Sequence, residues 1–401
     1  MTQDSQMPVR EGVVEAGPRS GHILVCSLNF DARPEGINTG RLVRALLDAG
    51  HRVTVVCGRE KSRCDFEHPR FTLHAVKIGL RHPQWLWRLI ARLRGDIGGH
   101  HYLWTRRVAK LDLSEVPDVV YGRAWPPSSL IGADALARRY NKPLWLHFSD
   151  PFPPPPQTQE DPLVMPWLRK MVARAAGVTV TNQQAADYQM QFFDAQPAGG
   201  ARIIGHIAPP ERRFGPSLHS DAFVYIGAFS PSRPPDALVA GFAEYRKTAP
   251  AARIHCVGTR PNRILPVAEQ FGVLEAVRVE PYTDNVSLWQ EKASVLLAVD
   301  WLAGTPVYLL TKVIEALQVD RPLLLLTQPG SPGEALARQC EDTVVCVTTT
   351  EPGAVAEGFR RAAAMANTAG NYDRRRAVMA PFAAQQIAAQ CAQTLLNKTG
   401  S

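Results

Sequence analysis

The 401-residue sequence contains no run of about 18 or more apolar residues, so no segment is expected to span a bilayer. Residues 1–20 are polar and lack the apolar core of a secretory leader, which points to a cytoplasmic protein. The seven cysteines (Cys26, Cys57, Cys64, Cys256, Cys340, Cys346 and Cys391) are odd in number, scattered, and form no C-x-x-C pair. Most lie in apolar stretches, where a reduced cysteine acts as a small core residue. Neither a disulfide framework nor a zinc site is expected. A G-x-G-x-x-G turn is missing, and no acid closes the second expected strand, which ends Val55-Val-Cys-Gly-Arg59. Dinucleotide binding is therefore disfavoured. Paired aspartates of a metal motif, internal repeats and dense basic blocks are also absent. The densest basic run, Arg374-Arg375-Arg376, reads as a solvated helix face rather than a nucleic-acid patch.

What is present suits a soluble globular chain: 45% of residues are hydrophobic and 20% charged. The length calls for two domains of about 200 residues each. Lys and Arg number 45 against 37 Asp and Glu, a net charge of +8. That excess favours anionic partners without choosing among them.

The order of elements is α/β. Gly21–Leu28 reads as a buried strand, Asn29–Gly40 as a glycine-bearing loop, Arg41–Gly50 as a helix ending at glycine, and His51–Cys57 as the next strand. This βαβ unit opens a doubly wound parallel sheet. Further strands are expected at 117–121, 143–148 and 178–181. Past residue 205 the pattern restarts, with strands at 222–226, 253–257, 277–280, 295–299 and 322–326 and a helix at 237–247. Two Rossmann-like domains are expected, at 21–205 and 206–376, after a polar tail and before a helical segment from residue 377. Pro153–Pro156 must be extended and reads as a rigid loop leaving a strand end at the mouth of a cleft.

Ligands of such sheets bind beyond the carboxyl ends of the strands. Gly36-Ile-Asn38-Thr39-Gly40 is expected to open the first helix, where free N–H groups attract an anion or hydroxyl; a ligand-free turn is the alternative. Gly227-Ala-Phe-Ser230-Pro-Ser232-Arg233 offers a close backbone approach and donors for a diphosphate, or else a helix cap with a solvated arginine. In Thr311-Lys312-Val-Ile-Glu315, Lys312 and Glu315 share one helix face. They form either a surface ion pair or a cation for phosphate next to a carboxylate for a vicinal diol.

Taken in order, these stretches resemble the family 4 glycosyltransferases. The resemblance rests on Gly36-Ile-Asn-Thr-Gly40 and Gly50–Val56, then Phe148-Ser-Asp150-Pro, Tyr225-Ile-Gly227 with Arg233, and His255-Cys-Val-Gly258. Pro281-Tyr282, Leu296–Asp300 and Thr311-Lys312-x-x-Glu315 complete it. It covers nearly the whole chain from about residue 21 and implies the glycosyltransferase-B fold, with a last helix crossing back to the first domain. It also implies metal-independent, retaining transfer from a nucleotide-diphosphate sugar, with no cofactor, in building a surface polysaccharide or glycolipid. Arg233 and Lys312 would hold the diphosphate and Glu315 the ribose. Gly227, Ser230, Gly258, Tyr282 and Thr311 would complete the donor side. Asp150 would handle the acceptor or a proton, with His147 and the Gly36–Gly40 segment on the acceptor side. Many members carry an acid eight residues before the ribose glutamate, where this chain has Val307; Ala303-Gly304-Thr305 would then meet the sugar. That departure keeps two alternatives open, a non-catalytic nucleotide-sugar binder and a nucleotide-sugar epimerase.

Trp85–Arg94 carries apolar residues, tryptophans and arginines at helical spacing. It reads either as a domain helix with buried tryptophans or as a basic amphipathic helix lying on an anionic membrane, which would suit a lipid-linked acceptor.

Overall fold

The structure, a computed structural model, describes residues 20–397 except 32, 80–84, 87–88, 90–92, 94–100, 125, 156–164, 194–196, 198, 215–220 and 367–371. Two parallel sheets organise it. The first contains β1 (His22–Cys26), β2 (Arg52–Gly58), β3 (Phe71–Val76), β4 (Val119–Ala124), β5 (Leu144–Phe148), β6 (Gly177–Val180) and β7 (Ala201–Ile203), in the order β3-β2-β1-β4-β5-β6-β7. The second contains β8 (Ala222–Ile226), β9 (Arg253–Val257), β10 (Val277–Glu280), β11 (Val295–Val299), β12 (Leu323–Leu326) and β13 (Val344–Val347), in the order β10-β9-β8-β11-β12-β13. In each sheet the strand order reverses at the first strand, β1 or β8, and the crevice beyond that reversal is where a ligand fits.

The short aliphatic runs form strands because both faces of each sheet are covered. Alternation along a strand splits its side chains between two cores: Leu24, Cys26 and Val120 pack on one face of the first sheet, and Ile23, Val25 and Tyr121 on the other. The second sheet is likewise sandwiched, with Phe223, Tyr225 and Leu324 on one face and Val224, Leu296 and Leu325 on the other.

The last helix, Ala384–Leu396, places Ile387, Ala388, Cys391, Ala392 and Leu395 in the first-sheet core with Leu42 and Leu46. The fold class read from the sequence, including this return of the C-terminal helix, matches the architecture. Burial explains the scattered cysteines: Cys26, Cys57, Cys256, Cys340 and Cys391 are buried, and burial pushes the Cys391 thiol up to about 12.

Three expectations need correcting. The first helix begins at Arg33 and runs to Asp48, so residues 36–40 lie inside it and not in a loop before it. Strands β3, β7 and β13, at sheet edges, were not legible as strands. Arg375 is not part of a solvated face. It is 2% exposed, and its guanidinium donates to the Val319 carbonyl at 2.7 Å, the Arg321 carbonyl at 2.9 Å and the Thr343 carbonyl at 2.5 Å. Those bonds satisfy buried carbonyls just before β12 and β13, and burial lowers Arg375 to about 10.

Candidate active site

The second domain brings a pair of cations together above the end of β8. Gly227 follows the strand with φ of 136°, a conformation that L side chains rarely adopt, and its amide donates to the Val257 carbonyl at 2.8 Å. The Thr259 hydroxyl donates to the Gly227 carbonyl. Lys312, in the first turn of the helix Thr311–Leu317, lies with Nζ 5.6 Å from the centre of the Tyr225 ring. Burial, aided by the neighbouring Arg233 charge, lowers its amine to about 8.

Arg233 closes a tight turn with Ser230: the Arg233 amide donates to the Ser230 carbonyl at 2.9 Å, and the Ser230 amide donates to the Arg233 carbonyl at 3.3 Å. The hydroxyls of Ser230 and Ser232 lie 3.0 Å apart. Arg233 Nε is buried without a hydrogen-bond partner. Two adjacent, partly desolvated cations, one with an unused donor, form a place for an anion. At the rim, Gly258 (φ of 75°) leaves its Cβ side open toward Tyr282, whose exposed ring donates its hydroxyl to Asp284 at 3.1 Å.

Glu315 sits one turn after Lys312 and pairs with Arg41 of the first domain at 2.7 Å. One turn earlier on each helix, Asn38 Nδ2 donates to Thr311 Oγ1 at 3.1 Å. The donor-side helix is thus joined to the first helix along matched faces.

The remaining first-domain candidates separate. Gly36 and Gly40 pack against the Asn29–Asp31 turn; a Cβ at 36 would approach the Asp31 amide to 3.1 Å, and one at 40 would overlap the Asp31 carboxylate. With the helix starting at Arg33, the amides of residues 38–40 belong to its hydrogen-bonded ladder and are not free for a ligand, so the anion-binding expectation for this segment is corrected. Thr39 is buried and accepts from Arg123 Nε at 3.2 Å. His147 is 1% exposed, hydrogen-bonded to Thr179 at 2.9 Å, and held neutral by burial and the Arg123 charge. It lines a small pocket with Asn38, Arg123 and His206. Asp150 follows β5 at the cleft and lines a pocket with Phe152, Trp167 and Leu168. Burial raises the Tyr308 phenol, and the Asp150 charge adds to that. Gln189 pins the proline loop, accepting from the Phe152 amide and donating to its carbonyl, both at 2.6 Å. Pro156 lies outside the described residues.

Residues 36–203 match the family described as Glycosyl transferase 4-like domain. No protein of curated function matches the chain by sequence. The whole architecture is similar to the crystal structure of Anabaena HepE in complex with UDP-glucose, with a TM-score of 0.63 at 14% identity over 93% of this chain and 99% of that one. It is similar to WaaG, a glycosyltransferase involved in lipopolysaccharide biosynthesis, at TM-score 0.59 and 13% identity over 94% and 100% of the two chains. A third similar structure is a variant of S. aureus TarM with fondaparinux, alpha-GlcNAc-glycerol and UDP, at TM-score 0.65 and 10% identity over 94% and 100%. The chain has the glycosyltransferase-B fold, and its residues 36–203 carry a glycosyltransferase 4-like domain.

Within this fold Val307 is more than a missing acid. It is 2% exposed and packs with Tyr308 against Tyr188 of the first domain, while its carbonyl accepts from Asn182 Nδ2 at 3.0 Å. The position serves the domain seam, where a carboxylate would be desolvated.

The sequence reading gave no role to Asp300, at the end of β11. Burial pushes it up to about 6, with Thr327 and the Trp301 amide as donors and Arg233 nearby. The rule of strand ends was the signal that pointed to it.

Among the described residues no group of three or more His, Cys, Asp or Glu is placed to hold a metal ion. Among them, too, no helix is long and apolar enough to cross a membrane. In the Trp85–Arg94 segment, Trp85, Leu89 and Leu93 are helical and exposed, at 66%, 46% and 76%, so Trp85 is not a core residue. Trp87, Arg88, Arg92 and Arg94 lie outside the described residues.

Proposed function

We propose that the enzyme transfers a sugar, with retention, from a nucleotide-diphosphate sugar to a saccharide or lipid-linked acceptor in the assembly of a surface polysaccharide or glycolipid. The reading is carried by the convergence of Lys312 and Arg233 above β8, with Glu315 one helical turn away. Breaking the anomeric bond builds negative charge on the departing diphosphate, and two cations already in place stabilise that charge more than the ground state. Glu315 accepts hydrogen bonds from the ribose hydroxyls, and Gly227 and Gly258 let the backbone approach the nucleotide. Ser230 and Thr311 add hydroxyl donors, and Tyr282 shields the rim. Asp150, just after β5, meets the acceptor or carries its proton. No resident metal is assigned a step, because the cationic side chains meet the leaving group directly.

Uridine donors are the first to test, since HepE and TarM were crystallised with UDP or UDP-glucose. The exposed Trp85, Leu89 and Leu93 support an enzyme working at the cytoplasmic membrane face on a lipid-linked acceptor. The deciding experiment is a thermal-shift screen of nucleoside diphosphates and their sugars, followed by donor hydrolysis. A ligand that binds the native state raises Tm. Stabilisation without hydrolysis or transfer would favour a non-catalytic binder, and no shift with any nucleoside diphosphate would overturn the donor site.

A further inference from the structure

We propose that Arg41, a first-domain residue, is a positioning residue for the Glu315 carboxylate, so that recognition of the nucleotide's ribose depends on both domains. The proposal deepens the donor-site reading and rests on its assignment of Glu315 to the ribose.

Arg41 lies in the helix Arg33–Asp48 and Glu315 in the helix Thr311–Leu317, 274 residues away in sequence. Arg41 Nη2 donates to Glu315 Oε1 at 2.7 Å, and Arg41 Nη1 reaches the Ile207 carbonyl at 3.4 Å. The guanidinium is therefore itself fixed, to the segment that links the two sheets. The Asn38–Thr311 bond one turn away keeps the helices in register, since residues three or four apart share a helix face. Glu315 Oε2 has no partner among the described residues, and Asn38 Oδ1 is buried without one.

A glutamate on a helix surface samples several rotamers, and a vicinal diol is met well by only some of them. Each carboxylate oxygen accepts more than one hydrogen bond, so an arginine on Oε1 orients the group without using up its capacity. The pair is partly exposed, at 23% for Arg41 and 35% for Glu315, so water screens its contribution to folding. Its effect is on orientation, and orientation is lost when the domains separate. A donor bound to the second domain alone would then meet a disordered carboxylate.

The test compares binding of UDP, GDP and ADP with that of their 2′-deoxy counterparts, by calorimetry. The wild type, Arg41→Ala, Arg41→Lys and Glu315→Gln are used, each checked for unchanged Tm. The wild type should prefer the ribo form of its nucleotide by about tenfold, the scale of one hydrogen bond to a charged group. Arg41→Ala should lose most of that preference while binding the 2′-deoxy form nearly as before, and Arg41→Lys should restore part of it. If Glu315→Gln abolishes the preference and Arg41→Ala keeps it, Arg41 is mere interface and the proposal fails while the ribose assignment stands. If Glu315→Gln keeps the preference, the ribose assignment itself fails. Tighter ribonucleotide binding by Arg41→Ala would mean that the ion pair competes with the nucleotide, which also overturns the proposal. No binding of any of the three by the wild type removes the donor site altogether. Should Arg41→Ala lower Tm, Arg41→Lys alone, folded and with a reduced preference, decides the question.

Discussion

The space that a β-carbon on Gly227 would need is filled by the Lys312 amine. The glycine at the end of β8 and the lysine opening the helix Thr311–Leu317 are therefore one device: the bare backbone admits the cation. Gly227→Ala should displace Lys312 and force alanine to φ of 136°. The expected cost is about 1–3 kcal/mol of stability and a fall of about tenfold or more in diphosphate affinity. Chemical denaturation and calorimetry check both, and an alanine variant indistinguishable from wild type would refute the coupling.

Lys312 sets a pH dependence with two signs. Its amine titrates at about 8 when folded and at 10.5 when unfolded. Between those values the unfolded chain binds the extra proton, so this group's contribution makes the free protein more stable as pH rises through that window. Diphosphate binding needs the protonated amine, so affinity should weaken as pH climbs past about 8. Lys312→Gln should bind weakly and flatten that limb. A wild-type affinity unchanged between about pH 7 and 9.5 would exclude Lys312 as a diphosphate ligand.

The last helix should be indispensable. Removing residues beyond Met379 takes Ile387, Ala388, Cys391, Ala392 and Leu395 out of the first-sheet core and bares Leu42 and Leu46. Uncovering that much apolar surface should give insoluble or loosened protein, seen as lost expression or a broadened melt. A single Ile387→Ala should cost about 2–5 kcal/mol. Full-length-like melting of the truncated chain would show that the packing is dispensable.

Membrane contact has its own measurement. Trp85, Leu89 and Leu93 recur every four residues and stand exposed. Trp85→Ser with Leu93→Ser should leave Tm unchanged and reduce pelleting with anionic vesicles. Glutamine at Arg88, Arg92 and Arg94 should abolish pelleting at low salt, since each basic residue near such a surface contributes on the order of 1 kcal/mol and salt screens it. Wild-type protein left in the supernatant at low salt would redirect the search to a soluble acceptor.

The sequence by itself determined the βα alternation, the two sheets and the shared face of Lys312 and Glu315, because these depend on periodicity over a few residues. It did not locate the start of the first helix. Pro34, Gly36 and Gly40 disfavour a helix locally, and close packing of those glycines on the Asn29–Asp31 turn outweighs that preference. Nor could it separate a solvated arginine from Arg375, whose partners Val319, Arg321 and Thr343 come from strand ends far along the chain. The β3, β7 and β13 edges were missed because a short or half-buried strand carries little pattern of its own. Only the tertiary structure decided that Arg41 meets Glu315, that Val307 seals a domain seam and that His147 is buried against Thr179. The first two depend on surfaces brought together by two separately formed cores, and no local spacing encodes that meeting.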